Sequence, residues 1–259
     1  MPVYAYDLVR VYRVEIASCV VLYALAELLW LRLRHGRAHE PRQLLANVLI
    51  YVVDTVLRLG TWPARFALFT LTYAASELRL PTTLVSACAC YLGVDVILYF
   101  WHRVLHESEL GWALHSVHHT GRAFNVSLGV RINWLQRSID DVVYLPLVWL
   151  GFEPLLVLSM VAFNRLSQYW VHTEMIGKLS WLDGWLNTPS NHRVHHEARS
   201  GGARANYGSN LMLWDRCFGT YRAEQAQVSY GTDAGELGSN PLRIQFAGLI
   251  DYVRRRVPR

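Results

Sequence analysis

The sequence predicts an all-α, integral-membrane helical bundle of about four transmembrane helices, covered by a cytoplasmic helical cap. Hydrophobic residues make up 53% of the 259-residue chain and charged residues only 17%, whereas soluble domains carry about 25% charged residues. The ten Trp and fourteen Tyr residues are of the kind that collects at bilayer interfaces. Several apolar runs are also long enough to cross a bilayer core of about 30 Å.

Two of these runs are predicted to span the membrane. The first comprises residues 16–33, and the arginines after it, from Arg32 to Arg42, place its C-terminal end in the cytoplasm by the positive-inside rule. No cleavable signal peptide is expected before it. The second comprises residues 83–101 and leads directly into a histidine. Between them, residues 44–80 hold two runs separated by LGTWPA, and one of these is expected to lie in the interface.

A further membrane element is predicted where two apolar runs are broken by GFEP. Gly and Pro favour a turn, so we interpret this pair as a hairpin that enters the membrane and returns. The predicted layout of the single domain, 1–259, is membrane helices in 14–101 and 139–170, a cytoplasmic metal-binding cap in 102–138 and 171–225, and a basic C-terminal tail in 226–259.

The charge pattern indicates where the chain resides. The formal net charge of +5 suits the anionic cytoplasmic face of a membrane. The arginines flank apolar runs instead of lining one stripe, which argues against a nucleic-acid partner. We therefore expect a multi-pass protein of a bacterial inner membrane, with its site facing the cytoplasm.

Nine of the eleven histidines are crowded into four short segments. The motif HxxHH occurs twice, HxxxH once, and one histidine stands alone; the residues are His102, His106, His115, His118, His119, His172, His192, His195 and His196. On a helix, positions i, i+3 and i+4 share one face, which suits a metal ion. Nine imidazoles exceed the four ligands of a structural zinc and suffice for two ions. His35 and His39 are expected to be solvated.

Ligand type alone does not name the metal, because imidazole suits Zn, Cu, Fe and Ni. A dimetal site at the cytoplasmic mouth of an apolar bundle could receive a lipid tail from the bilayer and hold it near an oxidant. This setting favours iron and O₂ chemistry on C–H bonds.

These segments also carry a family resemblance. The pattern DVILYFWHRVLHE…LGWALHSVHHT…HTEMIGKL…LNTPSNHRVHHEA…NYGSNLMLWDRCFGTY, residues 95 to 221, resembles the fatty acid hydroxylase/sterol desaturase superfamily of integral-membrane di-iron oxygenases. Within it, the motifs are most similar to the branch of alkylglycerol monooxygenase and its bacterial relatives. The resemblance implies that the nine histidines bind two Fe ions, for which Zn could substitute in purified protein. Asn191 stands where the family often has histidine, which puts one extra contact in doubt.

The resemblance further implies O₂ activation with two electrons from a separate redox partner of the cytochrome b5, ferredoxin or reductase type. The substrate would be a lipid or another hydrophobic molecule. Oxygen insertion would give a hydroxylated lipid, and loss of a second hydrogen an alkene; the ligand set does not distinguish the two.

Four further residues are candidates for catalytic roles. Asp95 lies two helical turns before His102 and could orient its imidazole, or it could be satisfied by an Arg or Tyr of a neighbouring helix. Glu107 and Glu174 each lie close to a histidine in the sequence, and each is a partner of that histidine, a direct metal ligand or a solvated surface charge. Asn125 and Arg131 either line the entrance for the substrate or are ordinary polar residues of the protein surface.

Two other functions stay open at this point. A membrane zinc hydrolase would need fewer ligands, and the sequence contains no HExxH motif. A non-enzymatic metal transporter or store would place its ligands near mid-membrane, whereas these histidines fall at span ends and in the cap.

Overall fold

The computed structural model describes residues 22–34, 40–198, 204–225, 228–233, 235 and 237–257. In these residues the regular structure is helical, and the only β-type pairing is two isolated bridges. The helices are α1 (22–34), α2 (Pro41–Ala75), α3 (Leu84–Glu107), α4 (Glu109–His119), α5 (Trp134–Ile139), α6 (Leu145–Trp149), α7 (Pro154–Leu166), α8 (Pro189–His195), α9 (Leu213–Cys217) and α10 (Pro241–Arg254). The all-α prediction is confirmed for this part of the chain. The first predicted span is described only from residue 22, and His35 and His39 lie outside the described residues.

Two helices, α2 and α3, are long and apolar enough to cross a membrane. Only 22% of the most apolar window of each is buried inside the protein, which is unlike the core helix of a soluble domain. Large side chains such as Val56, Leu59 and Leu71 of α2 are exposed. A bilayer would cover this apolar surface.

α2 is continuous where the sequence predicted two separate runs. Pro63 lies inside it, and a proline removes one backbone hydrogen bond from a helix. Side chains supply donors in the preceding turn: the Thr61 hydroxyl donates to the Leu57 carbonyl at 2.8 Å, and the Arg65 guanidinium to the Arg58 carbonyl at 2.8 Å. The two predicted runs are therefore one helix over Pro41–Ala75, and the interfacial position of part of 44–80 stays a prediction.

The predicted hairpin is built from α6 and α7, with the turn at GFEP. Gly151 adopts φ +94°, and a Cβ there would approach the Leu78 backbone carbon to 2.8 Å, so the turn needs glycine. The arms have 5 and 13 residues, shorter than the roughly 20 residues of a helical span. They pack against α2 and α3 around the buried residues Phe69, Cys90, Val94, Tyr144, Leu147, Val148, Phe152, Val157 and Val161.

The C-terminal region contains a helix that the sequence analysis did not predict. α10 lies along α4, and Gly248 permits the approach, because a Cβ there would lie 2.3 Å from the Ala113 carbonyl oxygen. Ile244 and Gln245 are buried. The Gln245 side chain donates to the Ile132 carbonyl and accepts from the Trp134 N–H. These contacts attach the region to the segment between α4 and α5.

Candidate metal centre

The end of α3 and the whole of α4 bring the first five histidines together. His102 and His106 occupy the last two turns of α3. Ser108 then ends α3 and caps α4, accepting a hydrogen bond from the Gly111 N–H at 3.1 Å. A Cβ at Gly111 would lie 2.7 Å from the Leu105 Cα. This close turn folds α4 back against α3, so that His115, His118 and His119 face the histidines of α3.

The remaining four come from shorter elements. His172 follows a one-turn 3₁₀ helix, Tyr169–Val171. His192 and His195 lie on α8, whose first turn is capped by the Thr188 side chain, and His196 ends it. All four are buried.

The nine imidazoles form two groups whose ligand nitrogens lie within 4.8 Å of one another inside each group. The first group is His102, His106, His115, His119 and His195; the second is His118, His172, His192 and His196. Each HxxHH motif gives its i and i+4 histidines to one group and its i+3 histidine to the other. Positions i+3 and i+4 diverge by about 100° around a helix, which lets one motif serve two centres.

Hydrogen bonds fix the direction of five of these rings. In each, Nδ1 faces an oxygen that can only accept, so Nδ1 carries the proton. The pairs are His102 with the Tyr207 carbonyl (2.9 Å), His115 with Gln136 Oε1 (3.1 Å), His118 with the Arg131 carbonyl (3.3 Å), His172 with the Gln168 carbonyl (3.2 Å) and His195 with the Ala205 carbonyl (3.0 Å). In a neutral ring, the other nitrogen, Nε2, then holds a lone pair.

The lone pairs converge without hydrogen atoms between them. The Nε2 atoms of His102 and His115 are 3.0 Å apart, and those of His118 and His172 are 3.1 Å apart. Two acceptors cannot hydrogen-bond to each other. The Nε2 atoms of His106, His119 and His195 are buried without a hydrogen-bond partner among the described residues. Buried lone pairs pointed at one another suit a cation that they share, so the donor set fits a metal.

Burial also sets the protonation of these rings. Desolvation, as the main cause, lowers the pKa of His172 to about 4 and the pKa of His115, His118 and His195 well below the usual value of 6.5. Neighbouring imidazoles lower these pKa values further. The rings are therefore neutral at pH 7, the state in which imidazole binds metal.

Asp95 is buried but does not orient an imidazole. Its carboxylate accepts hydrogen bonds from Asn164 Nδ2 (2.9 Å), the Asn210 N–H (3.2 Å) and Trp214 Nε1 (2.8 Å). Although it lies two turns before His102 on the same helix, the ring of His102 bonds the Tyr207 carbonyl instead. Asp95 joins α3 to α7 and α9.

The other three predicted catalytic residues also lie outside the two groups. Glu107 is partly exposed and pairs with Arg103 at 2.9 Å. Glu174 is exposed and lies beside the Tyr230 hydroxyl. Asn125 caps the 3₁₀ helix Val126–Val130, where its Oδ1 accepts from the Ser127 N–H. Asn125 lines a second cavity and not the one next to the histidines.

Asn191 is buried, and its side chain hydrogen-bonds to backbone carbonyls. Its Nδ2 donates to the carbonyls of Asp183 (2.6 Å) and Leu186 (2.9 Å). It lies outside both histidine groups. In this chain, therefore, the position that is often histidine in the family fixes the segment before α8.

The structure places further polar residues at the site that the sequence analysis did not select. Gln136 anchors His115. Arg137, Asp140 and Arg165 line the same cavity of about 90 Å³ as His102, His115, His118, His172 and His192. Asp140 accepts from Trp101 Nε1 at 2.8 Å. Charged residues beside and within the apolar run 139–170 were the available signal, because charge in such a run is costly and usually functional.

One prediction concerns Gln136, the side-chain acceptor of His115. Replacing it in Gln136→Leu leaves the buried Nδ1–H of His115 without a partner and frees the ring to rotate. Loss of such a partner lowers metal affinity by about 10–100-fold, which competition with a chelator would measure. Gln136→Glu keeps an acceptor and should stay within a few-fold of the parent. Equal affinity in Gln136→Leu and the parent would show that Gln136 does not position the ring.

Sequence comparison agrees with this geometry. The family model for fatty acid hydroxylase matches residues 87–220, which is just over half of the chain and contains all nine histidines. The chain belongs to the fatty acid hydroxylase family. The match runs from α3 through α9, so the family segment includes the α3–α4 turn, the hairpin and α8.

Named relatives extend the comparison. Alkylglycerol monooxygenase of Homo sapiens is 39% identical over 158 residues, covering 61% of this chain and 35% of the relative. Ornithine lipid hydroxylase of Rhizobium tropici is 30% identical over 143 residues, covering 54% of this chain and 42% of the relative. The chain thus spans about 35–42% of the length of these relatives. No solved structure matches it significantly.

Proposed function

We propose that the chain is a membrane-bound, non-haem di-iron oxygenase that uses O₂ to hydroxylate or desaturate an unactivated C–H bond of a lipid. The observation that carries this proposal is the convergence of nine neutral imidazoles in two groups at the end of an apolar helix. The relatives are named as enzymes that act on alkylglycerols and ornithine lipids, which supports a lipid substrate. Bound iron would supply O₂ activation and removal of the substrate hydrogen.

The distances favour a metal with more than four ligands. Metal–imidazole bonds are about 2.1 Å long, so two ligands at right angles have nitrogens about 3.0 Å apart, while tetrahedral ligands are about 3.4 Å apart. In the second group, four Nε2 separations of 2.8 to 3.1 Å match the right-angled arrangement, and in the first group the His102–His115 separation of 3.0 Å does so. Groups of five and four imidazoles would then leave positions open for oxygen, unlike a closed structural zinc site.

Residues of the cavity would bind and orient the lipid. The cavity is lined by histidines of both groups and by Arg137, Asp140 and Arg165. Arg137 forms an ion pair with Asp54, and Arg165 forms one with Asp141. Such a lining suits a polar group of the lipid, while Leu98 and Leu105 of α3 would contact its hydrocarbon.

The surroundings of the site follow from the same proposal. About four spans, counting α1 and the hairpin, would place the histidines on the cytoplasmic side of the membrane.

Hydroxylation consumes O₂, two electrons and two protons and forms the alcohol and water. The electrons would come from a separate cytochrome b5, ferredoxin or reductase. Such a donor could approach the C-terminal end of α3, where Glu107 is exposed beside Arg103.

The test uses the purified full chain in detergent or lipid nanodiscs. We expect two Fe per chain by elemental analysis, and O₂ uptake that needs both a reductant and a lipid. With ¹⁸O₂, hydroxylation places one labelled oxygen in the lipid product, while desaturation places none and removes two hydrogens. Zn-loaded protein should consume no O₂. A single zinc per chain, with lipid hydrolysis and no redox activity, would contradict the proposal.

A further inference from the structure

A second cavity, of about 110 Å³, lies on the other side of the 3₁₀ helix Val126–Val130 from the histidines. Its walls come from the first turns of α2, the segment after α4, and residues 237–238. None of the nine histidines lines it. The polar side chains that do so include Arg122, Arg131, Asn47, Ser127 and Thr120.

Arg131 is the unusual member of this cavity, because its guanidinium is buried at 2% exposure. Its Nε donates to the Val117 carbonyl (3.2 Å), Nη1 to Gln43 Oε1 (3.0 Å) and Asn47 Oδ1 (3.4 Å), and Nη2 to Thr120 Oγ1 (2.7 Å). All four acceptors are neutral. A guanidinium has five N–H groups, so one N–H on Nη2 has no partner in the described part of the chain.

The charge of Arg131 is therefore uncompensated within the described residues. Desolvation lowers its pKa to about 10, which leaves it cationic at neutral pH. The other buried arginines near the site differ: Arg165 pairs with Asp141 and Arg193 with Glu224. A buried charge without a counter-charge is costly, and a residue that keeps one beside a cavity points to an anion in that cavity.

Two further features favour an anion. The exposed Arg122 lies at the rim and brings a second guanidinium. The first turn of the 35-residue helix α2 also faces the cavity through Gln43 and Leu44, and a helix N-terminus carries partial positive charge. Glu40 is the carboxylate of the lining; it is exposed at the rim, where water screens its repulsion.

We propose that this cavity is an oxyanion-binding site, in which Arg131 and Arg122 hold a phosphate group. Asn47 would add an amide N–H, whereas the hydroxyls of Thr120 and Ser127 already donate to the Val117 carbonyl and to Asn125 Oδ1. The phosphate could be free or could belong to a lipid headgroup, since α2 continues from this cavity into the predicted membrane span. The Arg131 carbonyl also accepts from His118, so an occupied site would steady one metal-binding ring. This site does not depend on the identity of the metal or on oxygenase activity.

The test is thermal unfolding of the purified full chain in detergent, at constant ionic strength, with chloride replaced by inorganic phosphate. A ligand that binds only the folded state raises Tm, and at about ten times its Kd the shift should be about 2–5 °C for a chain of this size. Arg131→Gln should abolish the shift. Arg122→Gln, at the exposed rim, should fold normally and need about 10-fold more phosphate, the effect of losing one charge-assisted hydrogen bond.

Arg254→Gln is the matched control, because it removes the same charge at an exposed position of α10; it should respond to phosphate as the parent does. A short-chain phosphatidate and the matching uncharged diacylglycerol distinguish the two sources. If phosphatidate raises Tm at a lower concentration than inorganic phosphate does, the bound group is a lipid headgroup. If both compounds raise Tm equally, the site binds a free oxyanion. No Arg122-dependent shift with either compound would overturn the proposal.

Discussion

We expect His106→Ala and His172→Ala each to lower the iron content from about two per chain to about one. The two residues belong to different histidine groups, so each change removes a ligand from only one ion. His106 is the more stringent case, since neither of its buried ring nitrogens has a hydrogen-bond partner among the described residues. Lipid oxidation should fall at least about 100-fold in both variants, because even loss of a residue that only supports a ligand costs 10–100-fold.

The measurement is elemental analysis of the folded, monodisperse fraction together with lipid product by mass spectrometry. His39→Ala is the control, because the sequence predicts a solvated histidine there and its loss should change neither value. The double variant His106→Ala/His172→Ala should bind no iron. If either single variant lost both ions or neither, the division of the nine ligands into two centres would be wrong.

The second large effect is expected at Asp95. Asp95→Ala leaves the Trp214 indole N–H, the Asn210 N–H and the Asn164 amide without their buried acceptor. Each buried donor left without a partner costs about 1–3 kcal/mol, so the loss of three such contacts should lower Tm by about 10 °C or more for a chain of this length. The part of the chain around α9 should loosen first, which limited proteolysis near Trp214 would detect.

A metal measurement separates this structural role from the orienting role that the sequence suggested. In folded Asp95→Asn protein, we expect two irons per chain with affinity close to that of the parent, since His102 keeps its bond to the Tyr207 carbonyl. Glu107→Gln is a useful comparison on the same helix, because Glu107 is partly exposed. An exposed ion pair contributes less than about 1 kcal/mol to stability, so Tm should fall by less than about 4 °C. An Asp95→Asn protein that is stable but poor in iron would restore the orienting role.

Much of the candidate site could be predicted from the sequence because its information is local. The spacing of His115, His118 and His119 is a property of one helix, and the apolar run before His102 marks α3 as a candidate membrane helix. The selection of nine histidines, and the exclusion of Asn191 from them, needed only spacing and a family pattern. The turn at Gly151 was equally visible, since glycine and proline mark a change of chain direction.

The roles of Asp95, Glu107, Glu174 and Asn125 could not be predicted in this way. Proximity in sequence places a carboxylate near a histidine along the chain, but it does not choose between the imidazole and a partner from another helix. For Asp95, the donors come from distant segments: Asn164 of α7, Trp214 of α9 and the Asn210 N–H, which precedes α9. Gln136 was missed for the converse reason, as it meets His115 only after residues 120–133 return the chain to α4.

The sequence alone determined that this protein has apolar helices, a histidine-rich centre of nine rings, and membership of a family with lipid-oxidising relatives, because composition and short-range spacing carry that information. Only the tertiary structure decided how the rings divide into two groups, which acceptors hold their Nδ1 atoms, and that a buried Arg131, with no counter-charge among the described residues, lies beside a separate cavity. The physical reason is that lone-pair direction and charge compensation depend on atoms from distant segments, which meet only in the folded chain.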